Sequence, residues 1–283
     1  MNDVVKFNCT KCGGCCSEAP KVNFYEMLEL QSDFIWQSCH NVIVSTVDNP
    51  INKIKAEQLQ IIGNTIVVPE EDLSLFYYID FQPINLTVNN RCPKLSIENL
   101  CSIYGKRPTR CRLSPFNILE NENSQIRNIS IFKEKSDKGL WGCSFSENEQ
   151  PLYSEFGFKQ ANHKSLFYQE INQIRDITDK YIDFLEIQDD KAKQKHFESL
   201  FEYSVKKKFN TVFSDLEFIF HMVLYFNLVD SFSINEFISS QLKLIQEVNS
   251  EIDKDKNNQY KILKEKYSYF LKNDYFSDLY NLR

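Results

Sequence analysis

Four cysteines fall within eight positions near the start of the chain, in Cys9-Thr10-Lys11-Cys12-Gly13-Gly14-Cys15-Cys16. A folded core has little use for thiols packed so densely, because Val or Ala fills the same space without the risk of oxidation. The pattern points to ligation. A CxxC loop lets two sulfurs turn back onto one metal ion, and Gly13-Gly14 supplies the backbone freedom that so tight a loop needs. Adjacent residues do not easily present both side chains to one tetrahedral ion. Of Cys15 and Cys16, one is therefore expected to ligate while the other serves a second metal or the surroundings of the first.

A second group follows at Cys92, Cys101 and Cys111, with eight and then nine residues between successive cysteines. That spacing is too wide for one metal knuckle. It suits three sulfurs converging on a site whose other ligands come from the first cluster. Lys106, Arg107, Arg110 and Arg112 surround Cys111, and their charge would favour thiolate over thiol and offset the negative charge of a thiolate-bound centre; the alternative is a solvated basic loop. Cys143, in Trp141-Gly142-Cys143, is an eighth sulfur if two four-ligand sites exist, and the spacing leaves this open. Cys39 has no CxxC partner and reads as an ordinary half-buried thiol, with His40 beside it as a surface or turn residue. His163, His196 and His221 are isolated and read as structural.

With 283 residues, 42% of them hydrophobic and 14% aromatic, the chain can bury a sizeable core, and two domains are expected. Its 7 Gly and 8 Pro disfavour a many-turned all-β architecture. Residues 1–150 hold 15 Lys/Arg against 18 Asp/Glu and residues 151–283 hold 18 against 21, so neither half has the basic balance of a general nucleic-acid binder. No signal peptide is visible, and the cytoplasm is the expected location. In a reducing compartment nine cysteines point to metal or redox chemistry rather than a disulfide framework. The longest apolar run, Phe218 to Val229, is shorter than the ~20 residues of a membrane span and reads as a buried helix.

Local patterns predict a short strand at Lys21–Phe24, a helix from Glu26 to Trp36, and strands at Val42–Val47, Leu59–Ile62, Thr65–Val68 and Phe76–Phe81, with Gly63-Asn64 as a hairpin turn. A further hairpin is expected within 116–142, from Asn117–Leu119 and Ile126–Phe132. Beyond 151 the apolar spacing is helical: Phe167, Ile171, Ile174, Tyr181 and Leu185 form one stripe, Phe197, Phe201, Val205 and Phe209 another, and Leu263, Tyr267, Phe270 and Leu271 a last one. Ser214-x-x-Glu217 and Ser233-x-x-Glu236 resemble capping boxes. The fold expected is α+β: a cysteine-rich metal-binding domain with small antiparallel sheets over 1–150, followed by a mostly α-helical C-terminal region of four to six helices over 151–283.

The order CxxCxxCC, Cys-Pro-x-Leu, Cys-x-Ile-Tyr-x-x-Arg-Pro-x-x-Cys-Arg resembles the CxxCxxCC, or YkgJ-type, family of zinc- or iron-chelating proteins. Cys9, Cys12, Cys15 and Cys16 match the first block, Cys92, Pro93 and Leu95 the second, and Cys101, Ile103, Tyr104, Arg107, Pro108, Cys111 and Arg112 the third. The resemblance covers roughly residues 7–116 and implies metal chelation by Cys9, Cys12, Cys15, Cys16, Cys92, Cys101 and Cys111. A more distant likeness is to flagellin lysine-N-methylases, which share a cysteine-rich pattern and are thought to carry an iron–sulfur cluster; no residue run here matches a methyl-donor site.

All-sulfur ligation suits both zinc and an iron–sulfur cluster. Three readings follow: a redox or protein- or RNA-modifying enzyme centred on the cysteines, a structural zinc scaffold for an interaction module, and a metal carrier or thiol redox sensor. A protein partner or substrate is expected on the C-terminal helices, and neither a membrane nor nucleic acid is indicated.

Overall fold

Two long strands organise the protein. The structure, a computed structural model, describes residues 4–17, 20–46, 53–68, 73–84, 91–154, 156–187, 211–214, 216–248 and 256–272. In chain order the elements are β1 (Val5–Lys6), α1 (Phe24–Glu29), β2 (Trp36–Thr46), α2 (Lys53–Ile62), β3 (Asn64–Val68), β4 (Leu73–Pro83), α3 (Thr109–Leu113), α4 (Gln125–Asp137), β5 (Pro151–Ser154), β6 (Gly157–Phe158), α5 (Ala161–Glu186), β7 (Thr211–Ser214), α6 (Glu217–Tyr225), α7 (Ser231–Glu247) and α8 (Asn257–Lys272). The fold is α+β, with small antiparallel sheets and a helical C-terminal region. No helix of the described residues is long and apolar enough to cross a membrane.

β2 and β4 pair antiparallel from Trp36↔Pro83 to Thr46↔Leu73, with β3 outside β4 and β7 outside β2. A second sheet joins β1, β5 and β6. Consecutive residues Phe76 to Phe81 are all buried, so both faces of β4 are covered. Tyr77, Ile79 and Phe81 pack with α1 and with α6 to α8, while Tyr78 joins a second cluster with Leu113, Leu152, Phe167, Ile171 and Ile174. α5 contributes to both clusters. Its buried residues Phe167, Ile171, Ile174, Tyr181 and Leu185 form the predicted stripe, and Glu170 lies among them, fully buried. The stripe of α8 is likewise buried at Leu263, Tyr267 and Phe270. The stripe from Phe197 to Phe209 lies outside the described residues.

Several local expectations give way to tertiary packing. Only Val22 of the segment Lys21–Phe24 bridges to a strand, at Phe81, and Phe24 already opens α1. The helix expected to reach Trp36 stops at Glu29, because buried Gln241 of α7 donates to the carbonyls of Gln31 and Phe34 (2.8 and 2.9 Å) and accepts from the Trp36 N–H (2.8 Å). Leu59–Ile62 ends α2 rather than forming a strand: Gln58, Leu59 and Ile62 share a buried face. Gly63-Asn64 is therefore a helix–strand junction, pressed against the backbone of Tyr77. Residues 125–137 form α4 instead of a hairpin strand; Ile129 is buried, while Ile126 and Ile131 face solvent. Ser214 ends β7, and α7 starts at Ser231, where Asp230 accepts from the Ser233 N–H at 2.7 Å. His40 is not a surface residue: it is buried in β2, and its Nδ1 shares a 2.5 Å hydrogen bond with the Tyr77 hydroxyl.

Candidate metal centre

The segments that carry the cysteines interlock at glycines. Gly13 has φ +72°, and a Cβ there would lie 2.9 Å from Cβ of Asn99; a Cβ on Gly142 would lie 2.9 Å from Cβ of Cys12. Side chains at either position would push the segments apart. Hydrogen bonds fix the approach. The Cys92 N–H donates to the Cys16 carbonyl at 3.3 Å, and the N–H and C=O groups of Asn8 and Ser144 exchange bonds of 2.9 and 3.1 Å. Arg91 reaches Asn99 Oδ1 at 2.7 Å, and the Thr10 hydroxyl donates to the Gly142 carbonyl at 2.5 Å. Within the first loop the Gly14 N–H donates to Cys12 Sγ, 3.4 Å away.

A cavity of about 230 Å³ opens where these segments meet, and Cys9, Cys12, Cys16, Cys92, Cys101, Cys111 and Cys143 line it. Six of the residues anticipated as ligands thus face one space, joined by Cys143. The side chain of Cys15 lies outside the described residues. Cys39 is elsewhere, fully buried in β2, where burial first and Asp80 next push its thiol far above the usual range. Among the described residues no three His, Cys, Asp or Glu side chains are drawn together tightly enough to hold a metal ion. The sulfurs border a space rather than a point.

α3 brings Cys111 to the cavity and is anchored from behind. Arg110 lies 2.8 Å from both Asp80 of β4 and Glu170 of α5, and Asn23 donates to Glu170 at 2.5 Å. Burial opposes the Arg110 charge, but the two carboxylates outweigh it and its pKa is raised. Thr109, the first residue of α3, donates its N–H and hydroxyl to Glu26 Oε1 at 2.6 and 2.5 Å. Burial, followed by the Glu170 charge, raises the Glu26 carboxyl. Arg112 lies 3.7 Å from Glu26, and Lys106 pairs with Asp33 at 2.6 Å.

The basic run around Cys111 is therefore mostly structural, neither a solvated loop nor four charges aimed at sulfur. Arg107 is the exception. Its Nη1 is 3.7 Å from Cys9 Sγ and its guanidinium lies over the Tyr104 ring at 3.8 Å. Asp80, Glu170 and Glu26 were not among the anticipated site residues; a carboxylate inside the apolar stripe of α5 was the available signal.

The donor set fits a thiolate-bound metal. Sulfur ligands select zinc and iron–sulfur centres over hard cations. The described wall contains no carboxylate or imidazole, and Lys11, Lys94, Arg107 and Arg110 stand in it with the cysteines. Arg107 Nε and Arg110 Nη2 are buried with no hydrogen-bond partner among the described residues, as suits a wall facing an anionic centre.

Comparison with protein families bears on this same region: residues 8–135 match the CxxCxxCC model, described as a putative zinc- or iron-chelating domain. This part of the chain is similar to the CxxCxxCC domain. No curated protein and no solved structure matches the chain. The CxxCxxCC match contains Cys9, Cys12, Cys15, Cys16, Cys92, Cys101 and Cys111 and ends before Cys143. The cavity is thus also lined by a cysteine from outside the matched residues.

Proposed function

We propose that the CxxCxxCC-like region holds an iron–sulfur centre and that the protein is a redox protein built around it. The observation that carries this reading is the cavity itself. A structural zinc site closes four ligands around one ion, whereas here seven cysteines border a space of about 230 Å³. The basic wall supports the same reading, because a cluster held by several thiolates carries net negative charge that nearby cations offset. When bound, the cluster supplies one-electron chemistry. The chain provides the sulfurs, the cations beside them and the anchoring of α3.

The test is iron, zinc and acid-labile sulfide analysis of full-length protein purified without oxygen, with an absorption spectrum of the same sample. Iron and sulfide in comparable amounts, with broad visible absorption that bleaches on reduction, are expected. Stoichiometric zinc in a colourless solution would overturn the reading and favour a structural scaffold.

A further inference from the structure

The basic residues from 106 to 112 have unequal partners. Lys106 is committed to Asp33, Arg110 to Asp80 and Glu170, and Arg112 to Glu26. Among the described residues no carboxylate pairs with Arg107. Its Nη1 instead reaches toward Cys9 Sγ at 3.7 Å, its Nε is buried without a partner, and it lies in the cavity wall. Tyr104 fixes its position: the guanidinium sits 3.8 Å from the ring centroid, and Lys11 Nζ lies 4.3 Å from the same centroid. A planar cation held by an aromatic ring loses little further freedom when it orients toward sulfur. Holding it there without a carboxylate has no structural return comparable to the Arg110 anchor.

On the iron–sulfur reading above, we infer that Arg107 is a positioning residue that sets the reduction potential of the centre through its charge beside Cys9. Reduction adds one negative charge to a thiolate-bound cluster. A cation near a ligating sulfur stabilises the reduced form more than the oxidised form and raises the potential. The electron comes from an external one-electron reductant and stays on the centre, with no bond made or broken. Arg107 itself neither gains nor loses a proton, since guanidinium stays charged throughout.

The experiment compares full-length wild-type protein with Arg107→Gln, Arg107→Lys and, as a remote charge control, Arg127→Gln. Each is prepared without oxygen, assayed for iron and sulfide, and titrated with dithionite while its spectrum is followed. Arg107→Gln is expected to keep its iron and sulfide but to be reduced at a more negative potential. Arg107→Lys should recover much of that shift, and Arg127→Gln should match wild type. A fully loaded Arg107→Gln with the wild-type potential would overturn the inference while leaving the cluster reading intact. Loss of the cluster from both Arg107→Gln and Arg107→Lys would overturn it too, by making the residue part of the scaffold. Wild-type protein with zinc and no iron would refute the cluster reading and the tuning role together.

Discussion

Cys39 and Cys143 occupy different surroundings: the first, read from sequence as an ordinary thiol, lies away from the cavity, and the second, which spacing left open, faces it. Cys39 is flanked by β-strand neighbours and lies buried in the sheet, whereas Cys143, beyond the matched family segment, lines the cavity. Cys101→Ser and Cys143→Ser are each expected to lose most of the bound metal, measured by elemental analysis of the purified proteins. Cys39→Ser should keep it and cost about 1 kcal/mol in stability by denaturant unfolding. Glu26 belongs to the same scale. Its carboxyl is raised in the folded protein, chiefly by burial, so the folded state holds the proton more tightly than the unfolded one. Its contribution to stability is therefore present at low pH and is lost as pH rises from the ordinary carboxylate range through the raised value. Glu26→Gln keeps an acceptor for Thr109 without that loss. Urea unfolding across this interval should show wild type weakening relative to Glu26→Gln as pH rises; a constant difference would exclude the raised carboxyl.

At the level of elements, the site depends on segments that touch without side chains between them. Gly142→Ala puts a methyl against Cys12 and is expected to cost roughly 1–3 kcal/mol and to reduce metal content. Gly105→Ala has nothing within 4 Å of the new methyl and should leave both unchanged. Calorimetry with metal analysis on the same samples checks the pair. The elements that were legible in sequence had a long period or strong β propensity: the stripes of α5 and α8 and the strands β3 and β4. α2 and α4 were misread because their β-branched residues favour strands locally, while burial of Leu59, Ile62 and Ile129 on one helical face decides the outcome. The early end of the first helix was illegible for another reason: its cause, Gln241, lies about two hundred residues away in the chain. The cysteine pattern pointed to the segments that line the cavity, but the division of the basic run into carboxylate-paired anchors and one cation beside sulfur depended on Asp33, Asp80, Glu170 and Glu26, which only the fold brings near.

Across the whole molecule, the site lies at the margin of the largest hydrophobic cluster: Phe34 and Ile103 belong to both, and Cys92 and Cys101 pack against the cluster, but most of its members lie away from the cavity. That cluster unites Val22, Phe24, Trp36 and Phe81 with Phe220, Phe237 and Tyr267. None of these residues lines the cavity. Removing metal should therefore loosen the cysteine segments without melting the helices, unlike small zinc domains that unfold on chelation. Circular dichroism before and after treatment with a strong chelator is expected to retain most helical signal; complete loss would make the metal the keystone of the fold. On the reading proposed above, one cavity gathers sulfurs around a polynuclear centre. X-ray absorption at the metal edge of protein purified without oxygen tests this most directly. A shell of sulfur alone, with metal–metal scattering beyond it, is the predicted result; nitrogen or oxygen ligands around an isolated ion would contradict it.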